Sequence, residues 1–180
     1  MRTPLAAALV VLLLTTSSAA AQDSRLAGRL DSTTRAGVAT LLDRARANRL
    51  PAEPLVQKAL EGASKGAPGP RIVSAVEAVL ADLQRAQATL GPGAAPGDLV
   101  AASAALRAGA TPSMLAEIRR AQPRGGIAVP LGVFTDLVAG GLSVSAAWRS
   151  VADLARDGGD EQQFLDLRDR LRPPAPPGPP

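Results

Sequence analysis

The sequence predicts an all-α fold of seven or eight short helices in one domain, built either as a compact bundle or as an irregular α-solenoid of helical hairpins. Three observations carry this expectation. Apolar residues recur at three- and four-residue spacing. The 180-residue chain holds 17 Gly and 16 Pro, which cut it into short stretches. Hydrophobic residues reach 46% while aromatics are only 2%, so Phe134, Trp148 and Phe164 stand in a core of Ala, Leu and Val. Small core residues suit helices that pack closely.

Residues 1–21 have the pattern of a secretory signal peptide. Arg2 is a minimal basic region, Leu5 to Leu14 is apolar, and Ala19 and Ala21 meet the small-x-small cleavage rule. The apolar run is about ten residues, where a span needs roughly 20. There is no Cys for a lipoprotein anchor and no twin-arginine pair. The expected mature chain starts at Gln22, has no second segment able to cross a bilayer, and is periplasmic or extracellular rather than a lipoprotein. Without a disulfide, its stability must rest on packing.

A helical domain is expected over residues 22–172. Its first region, about Ser24 to Ala47, carries Leu26, Leu30, Val38, Leu41, Leu42 and Ala45 along one side and is interrupted near Asp31-Ser32. A second helix runs from about Ala52 to Ser64, and a third from about Pro70 to Gly91, where Ile72, Val76, Val79, Leu83, Ala86 and Leu90 step by four and three. A Gly/Pro linker is expected at residues 91–97. Leu99, Ala102 and Leu106 then mark an Ala-rich helix ending at Gly109. Thr111-Pro112 starts the next one, since Thr caps free amides and Pro occupies the first turn without loss.

Residues 127–133 alternate as a strand does, while Phe134, Leu137 and Val138 continue at helical spacing. Pro130 favours a helix from about Pro130 to Ala139, because proline suits a helix start better than a central strand. Ser143 caps a helix carrying Val144, Ala147, Trp148, Val151 and Leu154. Asp160 with Gln163 makes a capping-box pattern for the last helix. The Pro-rich tail, residues 173–180, is expected to be an extended, solvated segment.

A weak repeat joins these starts. Leu50-Pro51, Ala67-Pro68, Ala110-Thr111 and Leu142-Ser143 are each followed, five positions on, by Leu55, Ile72, Leu115 and Ala147. The starts are offset by 17, 43 and 32 residues. Two-helix units of about 32 to 34 residues resemble α-solenoid repeats in length, without a tetratricopeptide signature. Any string of capped short helices closed by Gly can also align in this way.

The chain has no Cys, His or Tyr, which removes thiol chemistry, imidazole catalysis and the usual N/S metal ligands. Neither Lys58 nor Lys65 completes a Ser-x-x-Lys motif; Lys65 is read as a helix-end cation paired with Glu61. Asp153, Asp157, Asp160 and Glu161 are the one carboxylate group available for acid–base work or a cation, but Asp153 pairs naturally with Arg156 and Asp160 serves as a cap. Trp148 is read as core. The formal charge is +4, and all but two of the 20 basic residues are Arg. Arg119, Arg120 and Arg124 form the densest basic patch, a possible anion-binding site. Arg168, Arg170 and Arg172 come next, balanced by expected Asp166–Arg170 and Asp169–Arg172 pairs. Three scattered aromatics give no platform for nucleic acid, and no cofactor is implied.

These features lead to a function. An exported, non-enzymatic helical protein that binds another protein of the cell envelope is the expected reading. A binding module for an anionic glycan or lipid headgroup, through Arg119, Arg120 and Arg124, is the alternative, and a carboxylate-based hydrolase comes last.

Overall fold

Asp31, Thr111, Ser143 and Asp160 sit in extended backbone, and each accepts the N–H three residues on through its side chain: Thr34, Met114, Ala146 and Gln163 respectively. Each satisfies an amide that a helix start leaves free. The computed structural model describes residues 24–123 and 125–172. The expected signal peptide, Arg124 and the Pro-rich tail lie outside them. The described residues are helical without strands: α1 (residues 24–27), α2 (Ser32–Ala47), α3 (Glu53–Ser64), α4 (Gly69–Leu90), α5 (Pro96–Arg107), α6 (Pro112–Ala121), α7 (Ala128–Ala139), α8 (Val144–Arg156) and α9 (Glu161–Leu171). No helix among them is long and apolar enough to cross a membrane.

Two boundaries differ from the expectation. The linker at 91–97 is shorter, because Pro96 and Gly97 already belong to the first turn of α5. Helix α7 starts at Ala128, two residues before Pro130. Proline still falls in the first turn, where its missing N–H breaks no bond.

Five helices, α2, α3, α5, α7 and α8, end in one and the same turn. A residue in the left-handed region follows the helix, with φ from 57° at Arg49 to 102° at Gly109 and Gly141. The next residue donates its N–H five positions back: Leu50 to Ala45, Ala67 to Gly62, Ala110 to Ala105, Leu142 to Leu137 and Gly159 to Leu154. This Schellman geometry satisfies carbonyls that the helix end would leave open. The aligned positions 50, 67, 110 and 142 are therefore one structural feature, and Gly159 is a fifth member.

Each turn reverses the chain, so helices two apart in sequence run parallel. Beside α2, α4 brings Gly69 against Thr34 and Val73 against Gly37, and Glu77 lies 3.6 Å from Arg44. Helix α8 lies along α6 in the same sense, with contacts spaced by 31 residues at Glu117–Trp148 and 33 at Gln122–Ala155. Helices α5, α7 and α9 stack likewise, through Gly97 beside Ala128 and Asp136 beside Arg168. From α2 onward the extensive contacts join only helices one or two apart in the chain. The result is one row, α2-α4-α6-α8, beside a second, α5-α7-α9, with α3 packed on α4 and α2, close to the quasi-one-dimensional order of a short solenoid.

Small residues set the spacing. A Cβ on Gly62 would come within 2.8 Å of Ile72, and one on Gly69 would strike the Thr34 hydroxyl, so α4 settles close on α3 and α2. Between the rows lies a continuous core of Leu, Val, Ala and Ile, with Phe134 and Phe164 fully covered. Asp82, buried on α4, accepts from Arg85 at 2.8 Å and lies 3.5 Å from Arg107 at the end of α5, which ties this hairpin together.

Arg49 is the one described non-glycine residue with positive φ. Relief of that backbone strain should make Arg49→Gly more stable by about 1 kcal/mol, and Gly141→Ala should cost about as much. Nothing lies near an added Cβ at Gly141, so the backbone alone is tested there. Urea midpoints that leave both variants at the parent value would contradict this.

Candidate functional site

The last turn of α6 carries Arg119 and Arg120, while Arg124 lies outside the described residues. Arg119 is largely committed to the fold. Its Nη1 donates to the Gly125 carbonyl at 3.3 Å and lies 3.6 Å from Asp98 Oδ2. Asp98 is buried in the first turn of α5, and its Oδ1 accepts the Ile127 N–H at 2.9 Å. Ile127 precedes α7 and has no capping side chain of its own. A carboxylate from another hairpin therefore caps α7 from 29 residues away, with Arg119 balancing its charge. Arg120 is exposed and donates Nε to the carbonyl of Ala116 in its own helix at 3.2 Å. Of the two described members of the predicted patch, Arg120 is the one that points no donor at an acid.

The four carboxylates around Gly158-Gly159 do not converge. Asp153 pairs with Arg156. Asp160 caps α9, and Gln163 closes the capping box by accepting the Asp160 N–H at 2.8 Å. Asp157 is the C-cap of α8, and Glu161 lies exposed in the first turn of α9. Among the described residues no three His, Cys, Asp or Glu are grouped to hold a metal ion, and no buried side-chain nitrogen or oxygen lacks a partner.

The C-terminal arginines pair differently from the spacing rule. Arg168 takes Asp169 at 2.9 Å and approaches Asp136 at 3.9 Å, and Arg170 donates to the backbone carbonyl of Asp166 at 3.4 Å. The Asp166 carboxylate is occupied by Gln162. Open carbonyls in a last turn compete for cations with carboxylates one turn away. Trp148 lies in the core as expected, edge-on to Phe134 with centroids 5.7 Å apart. Its Nε1 donates to Glu117 at 3.3 Å, which gives the indole's polar end a partner on the neighbouring α6.

Open grooves run between neighbouring helices. One, of about 340 Å³, is lined by the residues that precede and begin α7, together with Gly159, Asp160, Glu161 and Phe164. Its polar side chains are Gln122, which donates to the Ala155 and Gly159 carbonyls, the α9 cap Asp160 and Glu161 in the first turn of α9, rather than a converging reactive set. No family model matches the chain, and neither the curated proteins nor the solved structures give a match.

Three surface carboxylates have clear pKa displacements. The Thr34 hydroxyl first, and then its N–H, hold Asp31 below its ordinary value. Hydrogen bonds from Lys65 and then Lys58 hold Glu61 down to about 2. Glu53 is held to about 2 as well, by the Arg25 guanidinium first and Gln57 second. Folded-state values below the ordinary glutamate value of 4.5 mean that these pairs add stability above that pH and lose it as pH falls toward 2. Both sites are solvated, so the effect is small. The drop in melting temperature between pH 5 and pH 2 should shrink in the double variant Glu53→Gln/Glu61→Gln, and an unchanged drop would contradict the pairing.

A larger effect is expected at Asp98. Asp98→Ala leaves the buried Ile127 N–H unpaired and should cost about 2 to 3 kcal/mol, whereas Arg119→Ala, at a half-exposed position, should cost under about 1 kcal/mol. Asp98→Asn should recover part of the loss, because its side-chain oxygen can still accept from Ile127. Equal midpoints for Asp98→Ala and the parent in urea titration would refute the long-range cap.

Proposed function

We propose that this chain is an exported, non-enzymatic helical protein that binds another protein of the cell envelope, in the periplasm or outside the cell. The observation that carries the reading is the stack of helices, each packed on others one or two places away in the chain. Such a stack offers broad outer helix faces on a scaffold whose buried polar side chains, among the described residues, are satisfied internally. The lack of Cys, His and Tyr supports a binding role over a catalytic one. The apolar leader with Ala19 and Ala21 supports export.

A second reading, an anionic glycan or lipid headgroup as ligand, draws on Arg120, whose guanidinium has no acidic partner among the described residues. The involvement of Arg119 with Asp98 weakens it, since a ligand would have to compete with a contact that supports the cap of α7.

Crosslinking of the native protein in its own cells, followed by mass spectrometry, separates the two. One reproducible protein partner attached through a single helical face is the expected result. Recovery of glycan or lipid alone, or of nothing, would overturn the protein-binding reading.

A further inference from the structure

Helix α9 is held to the molecule by less than the helices before it. Each helix from α2 to α8 buries two or more side chains, and α9 buries Phe164 alone, with Leu167 and Leu171 half-covered against the core. It comes last in the row, and its extensive contacts are with α7 and α8. Few buried apolar side chains and neighbours on one side only define a unit of low local stability. The cover is incomplete at both ends. Open grooves of about 340 and 270 Å³ run between α7 and α9, one at Val129, Pro130 and Phe164, the other at Leu137, Gly140 and Arg168.

Polar groups let α9 leave where α7 cannot. Asp160 and Gln163 cap its first turn from within, Gln162 donates to Asp166, and Arg168 donates to Asp169. Among the described residues one side-chain ion pair leaves the helix, from Arg168 to Asp136 of α7 at 3.9 Å. A released α9 therefore takes its cap with it. Helix α7 takes its cap from Asp98 of another helix and would lose it. Gly158, with φ 77° and no atom near an added Cβ, joins α8 to α9 together with Gly159. Two glycines readily absorb the backbone rotation of a hinge. The tie at this hinge, Gln122 to the Gly159 carbonyl at 3.3 Å, is a single neutral hydrogen bond.

We propose that α9 is a lid on α7: it opens as a unit while the rest of the stack stays folded, and the apolar strip it vacates takes a helix of the partner protein. This rests on the protein-binding reading above and supplies its regulation. The seat defines the occupant, because α9 fills it in the closed form. A matching helix of about three turns carries an aromatic residue, apolar residues three and seven positions on, and a cation four positions on, as Phe164, Leu167, Leu171 and Arg168 do. The chain's own α9 competes with that helix, so the partner's affinity is scaled down by the fraction of molecules whose lid is open.

Amide exchange of the parent chain, read by mass spectrometry, should show α9 exchanging about tenfold faster than α7 and α8, at a rate less steeply raised by urea than global unfolding is. One common rate for the three helices would overturn the proposal. A fluorescent peptide of residues 160–172 then serves as the probe. Phe164→Ala removes the anchor of the chain's own lid, so that full-length variant should bind the peptide about tenfold tighter than the parent does, and Phe164→Ala/Val129→Glu should lose the gain. Equal affinity in Phe164→Ala and the parent would also overturn it. Dimers formed by exchange of α9 between copies would put a second copy in the seat and overturn the assignment of the occupant. In the cells that make the protein, Phe164→Ala should raise the crosslinked yield of the protein partner. An unchanged yield would overturn the lid and leave the protein-binding reading standing; no protein partner with either form would remove both.

Discussion

A helix that ends in a left-handed residue and hands the next N–H five positions back must send the chain out at a fixed angle. Five of the helices here obey that constraint, at Arg49, Gly66, Gly109, Gly141 and Gly158. Two reversals restore the original direction, so every second helix runs parallel, and a short-range rule becomes a long-range stack. Helices of 10 to 16 residues, as α2, α3 and α5 to α9 are, would be marginal alone in water. Stacked, each buries a stripe against neighbours and none needs a partner distant in sequence.

Buried carboxylates add ties of longer range. After α4, Gly91 also has positive φ, at 91°, but its N–H goes four positions back, to Gln87. Asp82 holds α4 to the end of α5 through Arg107, and Asp98 reaches across a hairpin to cap α7 at Ile127. Each is paired with arginine, as buried charge must be. Charges that in the sequence look available for ligands are thus partly consumed in joining hairpins, and Arg119 is the clearest case.

Helix starts and ends were legible because their causes are local. A cap side chain, a proline in the first turn or a glycine after the last turn acts within four residues, and Thr111-Pro112, Ser143 and the Asp160–Gln163 box all lie where their chemistry puts them. The repeat was legible at Leu50, Ala67, Ala110 and Leu142 and was overlooked at Gly159, because Asp160 follows it where Pro, Thr or Ser follows the others. Asp160 as an N-cap, with Phe164 five residues after Gly159, was the available signal. Asp98 and Asp82 carried no such signal: a carboxylate in an Ala-rich helix looks solvated until a partner 29 residues away is placed beside it. The Arg168–Asp169 pair was hidden for a related reason, since spacing alone does not rank a backbone carbonyl against a carboxylate.

The most direct test of parallel stacking uses the absence of cysteine from the chain. The Cβ positions of residues 97 and 128 lie 4.0 Å apart, within the range a disulfide spans. Under mild oxidation the double variant Gly97→Cys/Ala128→Cys should close an intramolecular disulfide, read as a shift in non-reducing electrophoresis and confirmed by peptide mapping. Gly97→Cys/Ala139→Cys, with the second cysteine at the far end of α7, should remain reduced. Closure of the 97/139 pair in place of 97/128 would mean that α5 and α7 run antiparallel, and the account of parallel stacking would be wrong.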